Sequence, residues 1–226
     1  CSLDNNYYPS LARELFNIAV KFRDELGIEI SFVDLSGGIG IPYRPGETTI
    51  DIAKIGEGVH KAYTEVVEAN GMEISVFTEM GRYITGPYGY LVTKVIGEKH
   101  IYKDYVGVDA TACNLMRPAI YGAYHNIRVL GKEDAKNEIK VDVVGSLCEN
   151  NDKFAVDREL PKVEYGDLLV IEDAGAHGHS MGYNYNGKLK SAEFLMHKDH
   201  SVSCIRRAQT MEDYFSTLDI DKEFQA

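Results

Sequence analysis

Five short segments of the sequence combine residue types that could bind an anion, transfer a proton or hold a carboxylate. In chain order they are residues 36–40, 78–82, 116–121, 148–152 and 174–187. Each of them, taken alone, could equally be a turn or a patch of solvated surface. Their meaning depends on the helices and strands that position them.

The first two segments suggest an anion site. Segment 36–40 reads Ser-Gly-Gly-Ile-Gly, and glycines let backbone N–H groups approach a phosphate closely, although a tight turn selects glycine equally well. In segment 78–82, the Glu79 carboxylate could pair with a protonated ring nitrogen, and Arg82 could bind a phosphate or carboxylate in bidentate fashion. The structural alternative for Glu79 and Arg82 is an exposed ion pair.

The third and fourth segments suggest substrate binding and proton transfer. Arg117 and Tyr121 lie four residues apart beside a proline that breaks regular structure. The two side chains could bind a carboxylate between them; the alternative is an exposed loop. Cys148 and Glu149 place a proton-transferring thiol next to a carboxylate. A free cysteine is, however, more often a small buried apolar side chain.

The last segment, residues 174–187, concentrates glycine, histidine and tyrosine after an apolar run. Such a composition is unusual for an idle turn and favours a functional loop. His177 and His179 are two residues apart and lack an assigned third ligand, so we predict no metal site.

Helices and strands alternate in the first part of the chain. The apolar spacing predicts helices over residues 5–26 and 51–70, which end at Gly27 and Gly71, and buried strands over residues 28–35 and 74–77. Parallel strands end at the same edge of a sheet, so we expect the glycine loop and Glu79 to lie close together. Two parallel strands need further neighbours, which predicts part of a larger sheet or barrel.

After Gly86 the sequence becomes rich in β-branched runs. Strands are predicted over residues 90–96, 105–110, 127–130, 139–144 and 168–171, followed by a short helix over residues 211–218. These runs are separated by turn residues, which is typical of mostly antiparallel β structure.

Composition excludes several classes of function. The 24 Lys and Arg against 35 Asp and Glu give a net charge of −11, which disfavours nucleic acid and anionic membranes as partners. No run approaches the ~20 apolar residues that span a bilayer. The four cysteines form no CxxC pair, so we expect a soluble, cytoplasmic protein without a disulfide scaffold. Cys1 is compatible with a lipoprotein, a cloned boundary or a fragment.

Taken in this order, the segments resemble those of the diaminopimelate decarboxylase family over nearly the whole chain. The residues that carry the resemblance are 34–43, 79–82, 117–121, 148–152 and 173–177. The resemblance implies a fold-type III enzyme dependent on pyridoxal 5′-phosphate, an α/β plus all-β protein. Residues 1–86 would be the C-terminal part of a (β/α)8 barrel, and residues 87–226 an antiparallel β-sandwich or barrel whose C-terminal helix returns toward the barrel.

The resemblance also implies the reaction and the site. The enzyme would remove one carboxylate from meso-diaminopimelate to give L-lysine, as a homodimer whose active sites are shared across the interface. Cofactor contacts would come from Gly38, from Glu79, Met80, Gly81 and Arg82, and from His177. Substrate contacts would come from Arg82, Arg117, Tyr121, Glu149 and His177, and Cys148 would be the catalytic proton donor. Cys148 and Glu149 would reach the active site of the other subunit of the dimer.

Several positions depart from the family. Ser36 replaces a glycine, Met80 a proline and His177 a tyrosine, for which Tyr183 or Tyr185 could compensate. The family's cofactor-binding lysine lies upstream of the glycine loop, so we expect this sequence to be a C-terminal portion of the enzyme. Two alternatives remain: the isolated chain is non-catalytic, or the substrate is another basic amino acid such as ornithine or arginine. Arg117 favours a substrate with a second carboxylate.

Overall fold

A computed structural model describes residues 1–219 and divides the chain into two compact units. The first unit contains Cys1–Tyr90 together with Tyr124–Asn126 and Glu172–Ala176. The second contains Leu91–Ala123, Ile127–Ile171 and residues 177–219. Residues 220–226, which the sequence assigns to the β domain, lie outside the described residues. Within residues 1–219, every helix is too short or too polar to cross a bilayer.

The first unit alternates helix and strand, as the sequence predicts. Its elements are α1 (Tyr7–Leu26), β1 (Phe32–Asp34), α2 (Ile52–Val66), a 3₁₀ turn (Glu68–Asn70), β2 (Ser75–Phe77), α3 (Gly81–Thr85) and a second 3₁₀ turn (Gly86–Tyr88). Helix α1 ends where predicted, because Gly27 adopts φ 66° and its N–H returns to the Arg23 carbonyl. The two strands begin later than predicted, and α3 was not predicted.

Strands β1 and β2 are parallel, as predicted. Phe32 pairs with Ser75 and Asp34 with Phe77. The core of the unit is formed by apolar residues of both long helices and of the segments around the strands, namely Tyr8, Ala12, Phe16, Ala19, Leu35, Ile39, Ile50, Ile55, Ala62, Val66, Val67 and Ile74. This core fixes the positions at which both strands end.

The second unit is mainly β structure. Its elements are β3 (Leu91–His100), β4 (Asp104–Val108), α4 (Arg117–Tyr121), β5 (Ile127–Val129), β6 (Ile139–Val144), β7 (Lys153–Leu160), β8 (Leu168–Ile171), a 3₁₀ turn (His179–Met181), β9 (Glu193–Met196), β10 (Val202–Arg206) and α5 (Met211–Phe215). Strands β6 and β8 have the predicted bounds. Strands β7, β9 and β10 were not predicted, and α5 is shorter than the predicted helix.

Six strands form one sheet in the order β5, β8, β3, β4, β6, β7, and β9 pairs with β10 separately. The pairs are antiparallel with one exception, since Tyr105 of β4 pairs with Asp142 of β6 in a parallel register. The chain between β4 and β6 carries α4 and β5, so it crosses over rather than turning back as a hairpin. Loop 145–152, which contains Cys148 and Glu149, joins the adjacent strands β6 and β7.

For the segment around Arg117, the alternative of an exposed loop is wrong. Residues Arg117–Tyr121 form the short helix α4. Pro118 lies in the first turn, where its missing N–H has no partner to lose, so it starts the helix instead of breaking it. Arg117 is buried, with 6% of its surface exposed.

Candidate functional site

In the first unit, the glycine loop and the segment around Glu79 are in direct contact. The Glu79 N–H donates to the Ser36 carbonyl at 3.0 Å. A Cβ on Gly37 would lie 2.9 Å from the Glu79 carbonyl oxygen, and Gly38 adopts φ 109°. Both positions therefore require glycine, one for close approach and the other for its backbone conformation. The predicted proximity of the two segments is confirmed.

Tyr8 of α1 orients the backbone of the glycine loop. Its hydroxyl oxygen lies 2.5 Å from the Ser36 carbonyl oxygen and 2.8 Å from that of Gly37, so its one hydrogen is shared between the two acceptors. Burial raises the pKa of Tyr8, and the charges of neighbouring groups, Glu79 among them, raise it further. Within residues 1–219, the N–H groups of Gly37 and Gly38 have no hydrogen-bond acceptor. The loop can therefore offer both N–H groups to an anion.

Arg82 lies on α3, directly after the Glu79 segment. Its Nη1 is 3.1 Å from the Cys1 Sγ, and its Nε is buried without an acceptor among the described residues. A buried donor without an acceptor is costly, which is typical of a site that takes a ligand. Met80 packs against the core, whereas Glu79 and Gly81 are exposed.

In the second unit, α4 places Arg117 and Tyr121 on the same helical face, because they are four residues apart. Gly122 ends the helix at φ 59°. Its N–H donates to the Pro118 carbonyl at 3.0 Å, and the Ala123 N–H donates to the Arg117 carbonyl at 3.4 Å. Arg117 is buried and Tyr121 is 64% exposed. The cation is thus held in place while the phenol is accessible.

Cys148 and Glu149 are exposed on loop 145–152, so the alternative of a buried apolar cysteine is wrong for Cys148. Cys113, by contrast, is buried. Glu149 lines a surface cavity of about 750 Å³. The thiol and the carboxylate are therefore accessible to a small molecule. The other residues around this cavity include Lys99, Tyr102, Tyr105 and Lys153.

The functional loop of residues 174–187 is divided between the two units, since Ala176 belongs to the first and His177 to the second. His177 is exposed and adopts φ 60°. Burial raises the pKa of Tyr183, and the charges of Cys113, Asp152 and Glu149 add to this increase.

The structure groups the predicted site residues by unit. The first unit brings together Gly38, Glu79, Met80, Gly81 and Arg82, and the second holds Arg117, Tyr121, Cys148, Glu149 and His177. Sequence reasoning assigned no role to Asp152 or Asn186, which hold the loop that carries Cys148. Asp152 stood within a recognised segment, but its burial has no sequence signal. Asn186 precedes Gly187, a pair that signals only a turn.

The chain matches the family model described as "Pyridoxal-dependent decarboxylase, C-terminal sheet domain" over residues 30–175. It is 42% identical to Protein TabA of Pseudomonas amygdali pv. tabaci, over 89% of this chain and 47% of that protein. It is 36% identical to diaminopimelate decarboxylase of Methanothermobacter thermautotrophicus, over 93% of this chain and 49% of that protein.

A solved structure gives a similar result. The crystal structure of diaminopimelate decarboxylase from M. jannaschii in complex with L-lysine superposes with a TM-score of 0.85 and 34% identity. It covers 98% of this chain, which in turn covers 50% of that structure. The chain thus spans about half the length of the relatives it matches. On the family match and these likenesses together, the chain belongs to the pyridoxal-dependent decarboxylases.

Proposed function

We propose that the intact protein is a carboxy-lyase, a diaminopimelate decarboxylase that converts meso-2,6-diaminopimelate to L-lysine in lysine biosynthesis. The observation that carries this proposal is the superposition, over 98% of the chain, on a diaminopimelate decarboxylase bound to L-lysine. The likeness to that enzyme extends over both units, because it includes nearly every residue of the chain.

The first unit fits pyridoxal 5′-phosphate. The free N–H groups of Gly37 and Gly38 and the buried Nε of Arg82 suit the phosphate, and the exposed Glu79 carboxylate suits the protonated ring nitrogen. Met80 and Gly81 continue the same segment. When bound, this cofactor withdraws electrons from the substrate carbon that loses its carboxylate. Glu79 supports that chemistry because its negative charge holds the ring nitrogen protonated.

The second unit supplies groups for the substrate. Arg117 and Tyr121 share a face of α4 and would bind a substrate carboxylate, together with Arg82 and His177. Glu149 would bind the distal amine, and the adjacent Cys148 thiol would deliver a proton to the carbon that loses carbon dioxide. An arginine that binds a second carboxylate favours a diamino diacid over ornithine or arginine.

Residues 1–86 would belong to a (β/α)8 barrel, and residues 87–226 would form the β domain. The support for the barrel is the exposure of its strands, since Phe32 of β1 is 59% exposed and Phe77 of β2 is 55% exposed. Parallel strands are normally covered on both faces, so these strands call for further neighbours. The family resemblance is the only support for the proposed homodimer with shared active sites. A cytoplasmic location is supported by the four free cysteines.

The activity is tested with the intact enzyme loaded with pyridoxal phosphate. We expect carbon dioxide and L-lysine in equal amounts from meso-diaminopimelate, and no amine from ornithine or arginine. Cys148→Ala should lower kcat at least about 100-fold with unchanged cofactor binding. Cys204→Ala, which removes another exposed thiol, should leave kcat unchanged. Release of carbon dioxide from ornithine but not from diaminopimelate would contradict the proposed substrate.

The alternative that this chain alone is non-catalytic has its own test. Borohydride reduction with added pyridoxal phosphate, followed by peptide mass mapping, should label the chain only when the upstream half of the enzyme is supplied. We expect the labelled lysine to lie in that upstream half. A stoichiometric adduct on one lysine within these 226 residues would mean that the site is misassigned.

A further inference from the structure

Asp152 connects two parts of the second unit through its carboxylate. Its Oδ1 accepts a hydrogen bond from the Ala112 N–H at 2.7 Å, and its Oδ2 accepts one from the Leu147 N–H at 2.8 Å. Ala112 lies on the segment that leads into α4 and Arg117, whereas Leu147 directly precedes Cys148. One side chain therefore holds both segments that carry the candidate substrate-binding groups.

The backbone of Asp152 closes the same loop. Its carbonyl accepts a hydrogen bond from the Gly145 N–H at 2.8 Å, and its own N–H donates to the Glu149 carbonyl at 3.1 Å. Together with the bond to Leu147, these contacts fix loop 145–152 at its start, middle and end. The exposed Cys148 and Glu149 side chains project from a backbone that Asp152 holds.

Gly145 provides the space that the Asp152 carboxylate occupies. A Cβ at position 145 would lie 2.2 Å from the Asp152 Oδ2 and 2.5 Å from its Cγ. These distances are far below a van der Waals contact, so an alanine would displace the carboxylate. Gly145 has no positive φ. Its requirement for glycine therefore comes from Asp152 and not from the backbone conformation.

Burial of the Asp152 carboxylate costs free energy of folding. Only 3% of Asp152 is exposed, and burial raises its pKa although the Leu147 and Ala112 N–H groups oppose the increase. A buried carboxylate destabilises a fold unless hydrogen bonds compensate. The two N–H groups give that compensation, and they also set the distance between the Cys148 loop and the start of α4.

We propose that Asp152 is a positioning residue for decarboxylation, which fixes the backbone of the Cys148–Glu149 loop against the segment around Ala112. This inference rests on the proposed function. Asp152 does not contact substrate in this role, and it acts through the backbone on either side of it. Loss of its carboxylate should move the thiol and Glu149 without affecting the glycine loop of the first unit.

The test uses the intact enzyme and three variants. Asp152→Asn keeps the shape but replaces one acceptor with an NH2 group that faces an N–H donor. Gly145→Ala should displace the same carboxylate without changing Asp152. Asp134→Asn is the matched control, because it makes the same change at an exposed carboxylate.

Amide hydrogen exchange reports the contacts directly. We expect exchange at Leu147 or Ala112 to accelerate about tenfold in Asp152→Asn and Gly145→Ala. Exchange at Lys94, whose N–H donates to Asp109 in the same unit, should stay unchanged. We expect kcat to fall about tenfold in both variants. The affinity for pyridoxal phosphate should stay close to wild type, and the melting temperature should stay well above the assay temperature. The Asp134→Asn variant should match wild type in all four measurements.

Two results would overturn the positioning role. One is wild-type kcat in a variant whose Leu147 and Ala112 amides exchange rapidly. The other is a loss of kcat that only follows loss of bound cofactor or of the folded state, because a purely structural role predicts that pattern. If Gly145→Ala fails to fold, Asp152→Asn alone decides. Absence of lysine formation by the wild-type enzyme would refute the proposed function instead, and the exchange results would still report whether Asp152 holds the loop.

Discussion

The side chain of Asn186 accepts a hydrogen bond from the backbone N–H of Cys148 at 3.0 Å. Asn186 adopts φ 50° and Gly187 φ 70°, and the Lys188 N–H donates to the Tyr185 carbonyl at 3.0 Å. These features define a tight turn of the kind that Asn-Gly pairs favour. The turn therefore does more than reverse the chain, because it directs an acceptor to the residue proposed as proton donor.

This contact predicts that two substitutions of Asn186 will differ in their effect on kcat. Asn186→Gly suits the turn but removes the acceptor, so in the intact enzyme kcat should fall about three- to tenfold. Asn186→Asp keeps an acceptor oxygen and should retain most of the activity. His200→Gly is the control, because it replaces another residue at positive φ, in the β9–β10 hairpin. Full activity of Asn186→Gly in steady-state assays would show that the contact has no role.

The positions at which regular structure ends were predictable in the first unit. Glycine stops and apolar spacing located α1 and most of α2, and the same pattern placed the glycine loop beside Glu79. Helix α2 ends at Val66, earlier than predicted, and a 3₁₀ turn continues to the predicted stop at Gly71. In the second unit, β7 was missed because its charged residues and Asp157 at φ 50° interrupt the alternation. Strands β9 and β10 are largely exposed, so their residues show no alternation between buried and exposed positions.

Sequence analysis identified only those site residues whose side chains have a characteristic chemical use. Glu79, Arg82, Cys148 and Glu149 stood out because carboxylates, guanidinium groups and thiols have specific uses. The contacts of Asp152 depend on how β4, β6 and β7 pair, and one of those pairs is parallel. No local sequence pattern encodes such a register, so the supporting role of Asp152 could be recognised only from the structure.

Ser36 adopts φ 61°, a conformation that glycine tolerates and other residues rarely adopt. This explains physically why the family has glycine where this chain has serine. We expect Ser36→Gly to raise the free energy of unfolding by about 0.5 to 1 kcal/mol, since relief of backbone strain exceeds the entropic cost of glycine. Ser75→Gly, within extended strand β2, should lower it. Chemical denaturation measures both changes, and equal destabilisation by the two would refute the explanation.

Gly38 should be required for cofactor binding. At φ 109° an alanine is strained, and relief of that strain would turn the Gly38 N–H away from its present direction. We expect Gly38→Ala to weaken binding of pyridoxal phosphate by the intact enzyme at least about tenfold, measured by absorbance titration. Gly46→Ala introduces comparable strain at φ 85° in open space. It should lower stability without changing affinity, and equal affinities for the two variants would contradict a phosphate site.

Asp142 should make the stability of the β unit pH-dependent. It is fully buried; burial acts to raise its pKa, but hydrogen bonds from Lys103, the Asp157 N–H and Lys153 outweigh burial and lower it. A lowered carboxyl pKa contributes stability above the ordinary value of 3.8, and this stability is lost as the pH falls through the native value. Asp142→Asn should therefore cost about 3 kcal/mol at pH 7, and the difference from wild type should shrink below about pH 4. Urea denaturation across this pH range tests the prediction, with the exposed Asp134→Asn as control. A difference that is independent of pH would mean that the charge of Asp142 does not stabilise the fold.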